Sequence, residues 1–120
     1  MQSLRFAFMS CQHYEQGYYA AYRQVAADAL DLVLHLGDYI YESSWGTNPV
    51  RRHAGPEPVT LTDYRTRYAQ YKTDPLLQAA HAAAPWAVVW DDHEVENDYA
   101  NDRSENLDEP EWFLQRRAAA

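Results

Sequence analysis

Two compact apolar runs, each closed by acidic residues, organise this chain. Leu32-Val33-Leu34-His35-Leu36 ends in Gly37-Asp38, and Trp86-Ala87-Val88-Val89-Trp90 ends in Asp91-Asp92-His93-Glu94. Runs of this length, bounded by Gly or acids, predict buried strands of a parallel sheet. Leu4 to Met9 alternates roughly, carries two phenylalanines and predicts a further strand. Between the first two strands, Tyr18 to Ala29 predicts a helix with Tyr18, Tyr22, Val25, Ala26 and Ala29 near one face. A strand–helix–strand order of this kind predicts a right-handed crossover joining a parallel pair.

The rest of the chain divides as clearly. Glu42 to Thr60 is rich in Gly, Pro, Ser and Asn and predicts a loop. A helix is expected from Leu61 to about Tyr71, capped by Thr60 or Thr62. Asp74-Pro75 opens another, to about Ala83, with proline at the first helical position, and Ala84-Pro85 ends it. Asp92 to Asp108 lacks an apolar period and predicts a polar loop. Pro110 to Ala120 predicts the first turns of a helix, with no glycine to end it. The expected class is α/β, a β-α-β core with a mixed or parallel sheet and helices. Residues 1–120 are read as one domain, truncated at its C-terminus.

Composition narrows the partners. A formal net charge of −8 argues against a nucleic-acid backbone, though not against an anionic substrate, because bound cations reverse the local field. The ten tyrosines and four tryptophans fit core and half-buried packing, or the lining of a cleft. A single cysteine excludes an internal disulfide. No run of 18 apolar residues exists, so no membrane-spanning helix is expected. Met1-Gln2-Ser3-Leu4-Arg5 leads straight into a strand, without the pattern of a signal peptide.

Open α/β sheets bind ligands at the carboxyl ends of their strands. Three such ends carry Ser10-Cys11-Gln12, Gly37-Asp38-Tyr39-Ile40-Tyr41 and Asp91-Asp92-His93-Glu94. Asp38 is placed to bridge two cations, or to form a turn. Tyr41 offers a phenolate for a hard cation such as ferric iron, or a packing ring. In the third string neighbouring side chains cannot all point one way. One aspartate would ligate metal while His93 stays free as a proton donor, or the whole string is a solvated loop. Cys11 is a thiolate ligand or a small buried hydrophobe. Asn97, Asp98, Asn101 and Asp102 are oxygen ligands for calcium or solvated surface. Arg51 and Arg52, with His53, form a basic cluster that could hold a phosphate.

The ordered set resembles the calcineurin-like metallophosphoesterases, and within them the PhoD-like alkaline phosphatases and phosphodiesterases. Four strings carry the resemblance: Ser10-Cys11-Gln12, His35-Leu36-Gly37-Asp38-Tyr39-Ile40-Tyr41-Glu42, Asp63-Tyr64-Arg65-Thr66-Arg67-Tyr68 and Trp90-Asp91-Asp92-His93-Glu94-Val95-Glu96-Asn97. The resemblance implies half of an α/β/β/α sandwich and hydrolysis of a small phosphate ester. It implies that Cys11 and Tyr41 ligate ferric iron, that Asp38 bridges the metals and that Asp92 binds a second, divalent site. Iron with calcium is implied, with zinc or manganese as the alternatives used by relatives. Metal-activated hydroxide would attack in line while His93 protonates the leaving group. An extracellular or periplasmic location is implied as well.

The family's downstream histidine motifs, its N-terminal β-sandwich and its twin-arginine signal have no counterpart in these residues. Two competing readings follow: a metal-stabilised module that turns over nothing, and an inactive fragment of a true enzyme. The isolated chain is expected to bind metal weakly, to lack phosphatase activity and to aggregate through its unpaired sheet edge.

Overall fold

The computed structural model describes residues 3–120. Met1 and Gln2, where the reading of an N-terminus without a signal peptide begins, lie outside the described residues. The elements follow in the order β1 (Phe6–Met9), α1 (Tyr22–Ala27), β2 (Leu32–His35), α2 (Leu61–Tyr71), α3 (Pro75–Ala83), β3 (Trp86–Val88) and α4 (Pro110–Ala119). The sheet is three-stranded in the order β1-β2-β3, and both pairings are parallel.

The strands are shorter than the apolar runs, but their pairing continues as single hydrogen bonds. Leu36 N donates to Met9 O at 2.8 Å and Val89 N to His35 O at 3.0 Å. Cys11 N donates to Gly37 O at 3.2 Å and Gln12 N to Asp38 O at 3.1 Å. The backbone ladder therefore registers the loop after β1 against the loop after β2. At the other end Asp31 ties β2 to β1, its N–H donating to Arg5 O and its carboxylate accepting from Arg5 N, each at 2.8 Å.

The helix expected over Tyr18–Ala29 shrinks to Tyr22–Ala27. Its N-cap position, Ala21, has no side-chain oxygen for the free amides, and Asp28 is extended. The other helices start where their caps dictate. Thr60 and Asp63 form a reciprocal capping box for α2, and Asp74 accepts from Leu76 N and Leu77 N ahead of Pro75 in α3.

Residues paired across a parallel ladder share a face of the sheet. Val33 and His35 point into the core, on the face they share with Met9 and Trp86. Tyr19, Tyr22, Tyr39, Ile40, Tyr64, Tyr71, Leu77 and Ala80 fill that core. Ile40 and Leu77 are fully buried, which contributes about 1.5–3 kcal/mol each. The tyrosine hydroxyls are not stranded. Tyr71 Oη accepts from Tyr41 N at 3.0 Å and Tyr14 N at 3.2 Å, and Tyr64 Oη donates to Val95 O at 2.8 Å. Most of the tyrosines thus serve packing, each with its polar tip satisfied.

The second face differs from the expected strands buried on both sides. Phe6 and Phe8 are 52% and 69% exposed, because no element among the described residues lies over them. No helix among the described residues is long and apolar enough to cross a membrane.

Candidate metal centre

The loop after β2 is tightly constrained. Gly37 has φ +105, and a Cβ there would lie 2.5 Å from Asp91 Cβ, so only glycine lets the β2 and β3 loops meet. Asp38 follows at φ +54 and Cys11 sits at φ +59, a region non-glycine residues rarely enter. Such conformations persist only where the surroundings over-determine them.

Three fastenings do so here. The first is Glu94, buried behind the site. Its carboxylate accepts from Asp38 N at 3.1 Å, Asp91 N at 2.7 Å and Tyr39 N, joining the two loops. Burial holds its pKa above the usual carboxylate range, although the three amides favour the anion. The second is Gln12, whose amide donates to Tyr39 O at 2.8 Å and accepts from Tyr22 Oη. The third is α2. Buried Arg67 donates to the carbonyls of Tyr41, Glu42 and Pro56, while Tyr64 holds Val95 O. The Asp63–Tyr68 string therefore anchors both acidic loops from behind.

Asp38, Asp92 and His93 converge on one point, with ligand atoms all within 4.8 Å of one another. Tyr41 Oη donates to Asp38 Oδ2 at 3.0 Å, while Asp38 Oδ1 is buried without a hydrogen-bond partner. A buried carboxylate oxygen with no hydrogen-bond partner in an acidic pocket suits a cation. The donor set of carboxylates, imidazole, phenol and thiol suits a metal on chemical grounds. Burial and the Asp38 hydrogen bond push the Tyr41 pKa well above its ordinary value, and the nearby Cys11 adds to this. Cys11 is exposed, with Sγ 3.3 Å from Ser10 Oγ. It adjoins the centre through Tyr41 and is not among the three converging groups.

His93 is held by one partner that the sequence reading gave no role. Glu42 lies 2.8 Å from His93 Nδ1, and its other oxygen accepts from Ser43 Oγ and Asn97 N, both at 3.2 Å. Burial pulls the His93 pKa down, but the Glu42 hydrogen bond and the charges of Glu42, Asp38 and Asp92 outweigh it. The net shift is upward. The imidazole is left with Nε2 free to act.

The other candidates lie apart. Arg51 does not enter the cluster. Its guanidinium donates to Asp74 Oδ2 and Tyr14 O, each at 2.6 Å, and stacks over the Tyr14 and Tyr19 rings, fastening the 42–60 loop to α3. Arg52 is exposed, and its carbonyl accepts from Gln70 Nε2. Asp98, Asn101 and Asp102 are exposed, and neither aspartate joins such a group among the described residues. The expected polar loop after Asp92 is buried in its first half, because Arg116 of α4 donates to Glu96 Oε2 at 2.6 Å, with further bonds to Glu57 and Tyr64 Oη.

Comparison with known proteins agrees with this fold. The family model for PhoD-like phosphatases matches residues 6–120. The chain is 56% identical to alkaline phosphatase D of Bacillus subtilis (strain 168) over 124 aligned positions, covering 98% of the chain and 21% of the relative. It superposes on a solved structure described as that of PhoD with a TM-score of 0.92 at 56% identity, covering 97% of the chain and 23% of the other. The chain thus spans about a fifth of the length of the relatives it matches. A family match over nearly every residue, with the acidic loops fastened as described, places this chain in the PhoD-like phosphatase family.

Proposed function

We propose that this segment supplies part of the metal centre of a phosphoester hydrolase of the alkaline phosphatase D type. The observation that carries the reading is the convergence of Asp38, Asp92 and His93 with Asp38 Oδ1 bare. In this reading Cys11, Tyr41 and Asp38 would hold ferric iron, and Asp38 with Asp92 would hold a divalent cation. Calcium is the first choice for the second position, with zinc or manganese as alternatives. Bound cations supply Lewis acidity, drawing charge from the phosphoryl oxygens and acidifying water. Tyr41 needs a cation of high charge to ionise, since its surroundings otherwise hold it protonated.

The chain's own residues orient and protonate. Glu94 and Gln12 keep the two ligand loops in register. Glu42 fixes the His93 ring and favours its protonated form, so that Nε2 carries a proton toward the departing alcohol. In hydrolysis a water that has given one proton to solvent bonds through its oxygen to phosphorus, the ester P–O bond breaks, and the leaving oxygen takes the His93 proton. General acid catalysis of this kind contributes about 10²–10⁴-fold.

His93 also belongs to the converging group, which favours a second reading in which it ligates metal. Leaving-group dependence separates the two. In the full-length protein, His93→Ala should cost far more rate on alkyl phosphates than on nitrophenyl phosphates, whose phenolate departs without a proton. Equal losses together with lost metal would assign His93 as a ligand instead.

A further inference from the structure

Trp45 is 44% exposed, yet it is packed against the centre. Its ring lies 5.3 Å from the His93 ring, 5.2 Å from Tyr41 and 4.5 Å from His13. Among the described residues it is the one large, exposed apolar side chain in contact with His93. Its place in the 42–60 loop is built. Gln16 Nε2 donates to Trp45 O at 2.7 Å, and Gly46 turns the chain at φ +89, where a Cβ would lie 3.1 Å from Gln16 Nε2. None of the hydrogen bonds that fasten the acidic loops involves the indole.

We propose that Trp45 forms a leaving-group subsite, which selects phosphoesters whose alcohol has an apolar or planar, uncharged body. The inference rests on His93 acting as the general acid. A general acid must come within hydrogen-bond reach of the leaving oxygen, so the alcohol's carbon body extends from beside the imidazole. The exposed aromatic surface at that position is the indole. A cleft of about 470 Å³ adjoins it, walled by Glu42, Glu57, Glu96 and Glu105. Glu42 is committed to His93, and Glu57 and Glu96 to Arg116, but the wall remains acidic. It disfavours an anionic alcohol, while the ring favours an apolar one.

Benzyl and methyl phosphodiesters test this in the full-length protein, because the two alcohols leave with similar basicity and differ in apolar body. Trp45→Ala should lower kcat/KM for the benzyl ester about tenfold and for the methyl ester by less than about twofold. Trp45→Phe should restore most of the benzyl rate, and a 4-carboxybenzyl ester should be a poorer substrate than the benzyl ester. Binding gives a second readout. Benzylphosphonate, which cannot be hydrolysed, should change indole emission in the wild type and not in Trp45→Phe. Equal losses on both esters, or an emission change that survives Trp45→Phe, would overturn the proposal. If the wild type hydrolyses neither ester, the phosphoesterase reading falls, and the emission change alone decides whether Trp45 contacts the ligand.

Discussion

Residues 37–42 and 97–105 are both acid-bearing loops, yet they have opposite fates. Every residue from Gly37 to Glu42 is buried, whereas Asp98, Asp102 and Glu105 face water. Acid content does not separate them. The difference lies in what stands behind each carboxylate. Asp38 is backed by Tyr41 and by the Glu94 fastening, and Glu42 by His93, Ser43 and Asn97 N. Asp102 makes no side-chain hydrogen bond among the described residues, and the Asp98 carboxylate accepts only a 3.4 Å contact from Asn97. Charges gathered in a low-dielectric pocket are costly unless paired, so a buried acidic loop with a bare oxygen signals a ligand. A solvated one signals nothing.

The comparison can be broken most forcefully at Glu94. Glu94→Ala leaves the amides of Asp38 and Tyr39 buried without an acceptor. We expect a loss of about 4 kcal/mol in denaturant unfolding of the full-length protein, together with loss of metal. A variant with unchanged stability and metal content would show that the loops hold their register without it.

A second test uses pH and the core beneath the site. His35 is 1% exposed, neither ring nitrogen has a hydrogen-bond partner, and burial, with the nearby His81, lowers its pKa to about 4. The unfolded chain binds the proton near pH 6.5, so the folded form holds fewer protons between that value and about 4. The stability contributed is present above pH 6.5 and is lost as pH falls through this window, by roughly 3 kcal/mol. His35→Leu should flatten the fall in Tm between pH 7 and 4. An unchanged slope would assign the acid lability elsewhere, with buried His53, also lowered to about 4, the next group to replace.

The smallest effect belongs to the solvated loop. Asp102→Asn should alter unfolding free energy by no more than about 0.5 kcal/mol and leave metal content untouched. A larger change would mean that the second acidic loop is a site after all.

Much of this was legible in the sequence. Apolar runs closed by Gly37-Asp38 and Asp91-Asp92 located two strands and the sheet end where ligands gather, and the caps Thr60 and Asp74 located two helices. The convergence of Asp38, Asp92 and His93 follows from that placement. What escaped were the partners reached through space. Glu94 binds amides 55 and 56 residues away, and Glu42 meets His93 across 51. Both acids stood inside the motif strings, and the usable signal was that so many neighbouring carboxylates cannot all face water. The Arg51 partners escaped for the same reason. A guanidinium in a loop looks free until Asp74 and two tyrosine rings are folded against it. The short α1 reflects a missing cap that the pattern of apolar positions does not reveal.

The central claim is that Asp38 is shared between two cation positions at the meeting of the β2 and β3 loops. The direct measurement is elemental analysis of metal per polypeptide in the full-length protein and its Asp38→Ala variant, with circular dichroism to confirm that both are folded. Two cations in the wild type and loss of both from folded Asp38→Ala is the predicted result, since a shared ligand serves two coordination shells at once. A folded Asp38→Ala protein that keeps its full complement of metal would contradict the account.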